Sequence, residues 1–213
     1  MTAVALNRRH LLAAAAAAAC LPAAEPACAA PDLLAQVRER LTDAPVLKGA
    51  FEQRKSVKGF RNPLVSKGDF LVAHARGVVW NTRQPFASAL VVTRDRLLSR
   101  QDDGTVNTRV DAANEPGIRA VNEMLFALMA ADLPALSARF EIDGALAGKD
   151  GWHLVLRPRD AALVRWITRI ELDGDRFVRK VRLAEASGDT SDIALSAHQT
   201  APALTPADAA RFD

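Results

Sequence analysis

Tyrosine is absent, and cysteine occurs only at Cys20 and Cys28, both near the start of a 213-residue chain. If the first residues are removed after export, no thiol remains. That excludes a disulfide, a cysteine nucleophile and a thiolate metal site. Histidine is equally sparse. Beyond His10, the chain has His74, His153 and His198, each alone in a strand-like pattern and without HxxxH or His–Asp spacing. Neither a Gly-x-Ser-x-Gly elbow nor a phosphate loop is present. Charge of one sign is lacking too. The net charge is +3 at pH 7, and loss of Arg8, Arg9 and Glu25 with a leader changes it by one. A nucleic-acid protein, whose basic residues dominate one face, does not fit this balance.

The N-terminus holds one short apolar run, Leu11 to Ala19, behind Arg8 and Arg9. It is shorter than the ~20 residues needed to span a bilayer. The small residues Ala27-Cys28-Ala29 follow as a signal-peptidase site. Residues 1–29 are therefore expected to be a removed signal peptide, residues 30–213 a single domain, and the periplasm the destination. Asn7-Arg8-Arg9-His10-Leu11-Leu12 resembles a twin-arginine signal, and an ordinary secretory signal is the competing reading. Acylation at Cys20 would make the protein an outer-membrane lipoprotein instead, although the residue three before it is Ala17 rather than the usual leucine.

The rest of the chain is strand-rich. Asp32 to Thr42 predicts a helix, with Leu33, Leu34, Val37 and Leu41 at helical spacing and Pro45 beyond it. Strands are predicted at 46–57, 67–76, 77–82, 87–93, 96–101 and 105–110, with a hairpin turn at Asp102-Asp103-Gly104. A second helix is predicted at 117–131, its stripe Ile118, Val121, Leu125, Leu128 and Met129, closed by Pro134. Further strands follow at 138–143, 151–157, 162–172, 176–184 and 190–198. Around Asp173-Gly174-Asp175, alternation places Val164, Trp166, Ile170 and Leu172 on one face. Across the turn it places Phe177, Val181 and Leu183 against Val178, Lys180 and Arg182. About eleven antiparallel strands in one sheet must curl, and their apolar concave face needs a cover. The two helices are too few to fill a wide barrel as a second sheet would.

Scattered positions then align with a known pattern. Gly68-Asp69-Phe70, followed by Trp80 and Pro85, resembles the periplasmic LolA lipoprotein carriers. Phe51-Glu52-Gln53 is similar to the Phe-x-Gln that opens their first strand. Ile167 to Ala197 resembles their late meander, and Leu204-Thr205-Pro206 with Phe212 their C-terminal end. The resemblance implies a mainly β (α+β) fold: an unclosed antiparallel β-barrel with helices lidding its concave apolar face. It further implies a monomeric carrier that shields acyl chains of lipoproteins or another lipid on the way to the outer membrane. An inner-membrane release complex and an outer-membrane acceptor are implied as partners, and no cofactor or metal.

On that implication the cavity wall comprises Phe70, Val72, Val78, Trp80, Leu90, Val92, Leu125, Leu128, Met129 and Trp166. Ordinary core packing is the competing reading for all of them. The carriers' Arg-Pro pair, which helps to lock the lid, falls here on His74-Ala75. A histidine donates single hydrogen bonds and lacks the guanidinium's fork. His74 and Arg76 are therefore the candidate latch, and the flexible Met124 a lid residue that packs in more than one way. Other function classes are a LolB-like anchored acceptor, a lipid sensor, and an enzyme on a hydrophobic substrate.

Overall fold

Short β-rich runs separated by Gly, Asp and Pro leave the backbone one economical solution, a meander in which each strand pairs with its sequence neighbour. The computed structural model describes residues 33–93, 96–101, 105–111, 127 and 132–213, all within the compact unit Pro31–Asp213. Helix α1 (Leu33–Arg40) precedes β1 (Val46–Ser56), β2 (Leu64–Ala73), β3 (Gly77–Gln84), β4 (Ser88–Val92), β5 (Arg96–Gln101) and β6 (Val106–Asp111). Then come α2 (Leu133–Arg139), β7 (Phe140–Ala147), β8 (Gly151–Pro158), α3 (Ala161–Val164), β9 (Ile167–Gly174), β10 (Val178–Glu185), β11 (Thr190–Ala201) and α4 (Pro206–Ala210).

The 11 strands form one sheet in the order β6-β5-β4-β3-β2-β1-β11-β10-β9-β8-β7, antiparallel throughout. The two meanders join where β1 pairs with β11, and β6 and β7 are left as the edges of an unclosed sheet. Register shifts interrupt the ladders at Lys48/Ala50, Lys67/Gly68, Ser99/Arg100, Val178/Lys180 and Ala184/Glu185. Such bulges bend strands and increase twist, which is how a wide sheet curls.

Each face has its own core. On the concave side Val37 of α1 and Leu133 and Leu136 of α2 pack with Phe51, Phe70, Leu154 and Ile170. On the convex side Val46, Leu71, Ala73, Val79, Val91 and Leu98 are covered by Phe212 and Leu204. The C-terminal segment is fastened over that side by cations of the sheet. Lys48 pairs with Asp208, Arg96 donates to the Phe212 carbonyl, and Arg76 pairs with Asp213 at 2.8 Å. Asp69 meets Arg211 there and accepts from Asn81 at 3.1 Å and Arg83 at 2.8 Å. Burial pushes the Asp69 carboxyl up, but these donors outweigh it and hold the group below its ordinary range.

Several expectations are corrected. The predicted strand 67–76 stops at Ala73, because residues 74–76 turn the chain, with His74 N–H on the Pro45 carbonyl and Arg76 N–H on Ala73. Pro134 opens a helix rather than closing one. Asp132 caps α2 by accepting from Ala135 N–H at 3.1 Å, and proline is tolerated in a first turn because no intrahelical donor is needed there. The predicted strand 162–172 begins only at Ile167, since α3 occupies its first residues. Val178, assigned by alternation to the wet face, is buried with Val181. The bulge between Val178 and Lys180 shifts the parity of the strand. The hairpin turn at 102–104 and the helix at 117–131 lie outside the described residues, except for Ala127, which is buried in the concave core.

Candidate lipid-binding face

Antiparallel register decides which side chains share the concave face. Phe70 stands opposite Trp80, and Val72 opposite Val78. Trp80 in turn stands opposite Leu90, and Val78 opposite Val92. All six therefore point the same way. Phe70, Val72, Val78 and Val92 are buried in the concave core, with Trp80 and Leu90 packed against it at partial exposure.

Aromatic rings continue this wall across the middle of the sheet. Phe51 stacks on Trp80 with centroids 3.8 Å apart, and Phe70 lies 6.2 Å from Trp80. His198 meets Phe70 edge-on at 5.8 Å and stacks on Phe177 at 4.7 Å. The band thus crosses from β3 to the start of β10. Glycines make room here: a Cβ on Gly49 would meet the Phe70 ring, and one on Gly68 first the Asn81 carbonyl of β3 and then the Phe51 ring. On the other half of the sheet Gly174 stands opposite Trp152, and a Cβ there would strike that indole.

His198 reaches the band through a backbone irregularity. Ala197 has φ of 51°, and the β1–β11 register slips beside it, which turns the next side chain inward. The imidazole Nε2 donates to the Val178 carbonyl at 3.1 Å, which leaves Nδ1 to accept from Arg179 at 3.0 Å. Burial and the neighbouring Arg179 charge lower its pKa, against the opposing pull of the Val178 carbonyl and Asp175. Neutral His198 is thus the form that fits.

At the end of the band a small cleft of ≈ 30 Å³ is lined by Leu41, Leu47, Phe70, Phe177, His74 and His198, among others. Pockets that bury small molecules measure ~300–1,000 Å³, so an acyl chain enters here only if something moves. Helix α1 runs up to this cleft through Leu41. Its apolar stripe of Leu33, Leu34, Val37 and Leu41 packs on the concave core. At its C-terminal end Thr42 N–H donates to the Arg176 carbonyl at 2.8 Å, and Arg40 donates to the Gly151 carbonyl.

The remaining expected site residues fall elsewhere. Trp166 is exposed, because the α3 turn ends with its N–H on the Leu163 carbonyl and Leu163 takes the buried place instead. His74 lines the cleft, but from an exposed turn rather than a strand. Arg76 belongs to the convex side, its guanidinium 5.4 Å from the Phe212 ring centroid, so it does not share a face with His74. Leu125, Leu128, Met129 and Met124 lie outside the described residues. Sequence reasoning missed Phe51, His198 and the α1 stripe as parts of this face. Phe51 had a signal, its register two strands from Trp80; the inward turn of His198 had none. Among the described residues no cluster of three acidic, histidine or cysteine groups stands as a metal site would require.

A family model described as outer membrane lipoprotein carrier protein LolA matches residues 42–209. The chain belongs to the LolA family. That family is one of periplasmic carrier proteins, and the open sheet with an apolar concave face is its fold. Distant likenesses among solved structures include a LolA superfamily protein from Nitrosomonas europaea, with 9% identity and a TM-score of 0.45 over 81% of this chain and 93% of that one. A DUF1329 family protein from Desulfovibrio piger has 9% identity and a TM-score of 0.46, over 85% and 95%. A domain from Vibrio parahaemolyticus described as lipoprotein-sorting has 12% identity and a TM-score of 0.43, over 82% and 94%. No curated protein matches the chain in sequence. No helix among the described residues is long and apolar enough to cross a membrane.

Proposed function

We propose that this LolA-family protein is exported by a signal at residues 1–29 and that residues 30–213 then carry an acylated cargo through the periplasm. The acyl chains lie along Phe70, Val72, Val78, Trp80, Leu90 and Val92. An inner-membrane complex loads the protein and an outer-membrane acceptor unloads it. The observation that carries this reading is the concave aromatic band of Trp80, Phe51, Phe70 and His198, which ends in a cleft lined by Leu41 just beyond α1.

The energies make such a carrier workable. A chain of about 15 methylenes gains roughly 12 kcal/mol on full burial. Lifting α1 exposes Val37 and parts of Leu33, Leu34 and Leu41, at a cost of roughly 5 kcal/mol. The difference holds cargo firmly yet leaves it releasable, which a rigid open pocket would not.

Native mass spectrometry of protein purified from the producing cells tests this. The expected result is a mature chain starting at Ala30 with one lipid or acyl adduct bound without a covalent bond, whose mass names the cargo. A protein that carries no lipid and takes up none when offered acylated peptide overturns the reading. A diacylated Cys20 replaces the soluble carrier with an anchored acceptor.

A further inference from the structure

The exposed large apolar side chains among the described residues are not scattered. Phe60 is 70% exposed in the turn between β1 and β2, with Leu64 and Val65 exposed beside it. Phe86 is 83% exposed in the turn between β3 and β4, and Val106 opens β6 after the next turn. Trp166, 66% exposed, and Val164 lie just before β9 begins. Because every neighbouring pair is antiparallel, these turns all stand at the same end of the sheet. The Ala186 N–H on the Trp166 carbonyl and the Lys58 N–H on Asp189 tie the tips of both halves to the intervening β10–β11 turn. At the opposite end, the turns at 74–76, 148–150 and 175–177 expose no large apolar side chain among the described residues.

Cations accompany the apolar tips. Lys58 and Arg61 flank Phe60, and Arg165 sits between Val164 and Trp166, all three exposed; Arg83 beside Phe86 is exposed too but faces Asp69 at 2.8 Å. The nearby acids are engaged within the protein. Glu185 and Asp189 face Lys55 at 2.7 and 3.8 Å, and Glu52 takes Lys67 at 3.0 Å and Arg54 at 2.9 Å. A row of aromatic tips interleaved with outward cations matches the water–lipid boundary, where rings sit at headgroup depth and Lys and Arg meet lipid phosphates.

We infer that this rim docks on an anionic membrane surface, with Phe60, Phe86 and Trp166 entering the headgroup layer and Lys58 and Arg61 meeting lipid phosphates. Several separate tips in one row suit a flat surface better than a pocketed protein partner. The inference goes beyond the carrier reading and does not depend on it. Vesicle binding reads the rim, and lipid occupancy reads the concave face.

The test is co-sedimentation of the purified full mature chain with phosphatidylethanolamine vesicles, with and without phosphatidylglycerol. Wild type is expected to sediment with the phosphatidylglycerol vesicles, and F60S/F86S/W166S to lose about tenfold or more of that partition. K58S/R61S is expected to lose the preference for phosphatidylglycerol and the sensitivity to salt. Brominated phosphatidylglycerol gives a readout without the triple variant: it quenches the wild-type tryptophan emission, and W166F loses that quenching. Wild type left in the supernatant with both vesicle types overturns the inference. A folded triple variant that sediments like wild type, or quenching unchanged in W166F, does so equally.

Discussion

At the residue scale, His198 shows how far a side chain's role can depend on backbone geometry that its own identity does not announce. Simple alternation from Leu195 puts position 198 on the convex side, yet the left-handed Ala197 turns it into the aromatic band. There it is a neutral link between the Val178 carbonyl and Arg179. Its pKa is lowered on folding, so the unfolded chain takes up the proton first. The associated stability is complete above the ordinary histidine value of about 6.5 and is lost as pH falls below it. Asp69, Asp175 and Asp208 have lowered pKa values as well, but their contributions disappear only below the ordinary carboxylate value of about 3.9. Between about pH 7 and about pH 5 the urea midpoint is therefore expected to fall in wild type and to stay flatter in His198→Gln. Equal slopes in the two proteins would remove His198 as the cause. That Phe70, Val72, Val78, Trp80, Leu90 and Val92 share one face follows from unbroken alternation and register. The orientations of His198 and Val178 were not legible, because each sits beside a bulge that a period-two pattern cannot reveal.

At the scale of elements, the strands announced themselves and the short helices did not. A short apolar run between Pro85 and Asp95 marks a strand of only five residues, β4. Helices α2 and α3, seven and four residues long, are too brief to show a 3.6-residue period. Their signals are local instead: Asp132 before Leu133-Pro134 is a cap followed by a first-turn proline. Missing α3 is also what misplaced Trp166. Helix α1 was readable from its leucine and valine spacing. It buries one side chain fully, Val37, and Arg40 near its end donates to the Gly151 carbonyl. Val37→Ala is expected to lower stability by about 1–3 kcal/mol. If α1 is the lid, the same change lowers the cost of opening, so acylated peptide binds more tightly by up to about tenfold for each ~1.4 kcal/mol removed. Weaker or unchanged binding, measured by fluorescence titration alongside thermal unfolding, would show that α1 is not what cargo displaces.

At the scale of the whole molecule, the two faces of the open sheet are covered differently. The convex core is sealed by Leu204 and Phe212, in a C-terminal segment fastened by Lys48, Arg76 and Arg96. The concave core is covered by short helices and ends in a cleft. Stability and cargo holding are therefore expected to segregate by strand face, and neighbouring residues of β4 test this with the backbone held constant. Val91 points into the convex core and is fully buried, whereas Leu90 points into the concave wall and is partly exposed. Val91→Ala removes packing on the convex side and is expected to cost about 1–3 kcal/mol of stability, leaving lipid occupancy in native mass spectrometry at the wild-type level. Leu90→Asn places an amide where an acyl chain is to lie. Partial exposure lets that amide reach water in the free protein, so stability falls by about 1 kcal/mol or less, whereas bound cargo would bury it unpaired. Occupancy is then expected to fall about tenfold. If instead both variants lose occupancy in proportion to their loss of stability, cargo follows the integrity of the fold and not the concave face, and the division of labour between the two sides of the sheet is wrong.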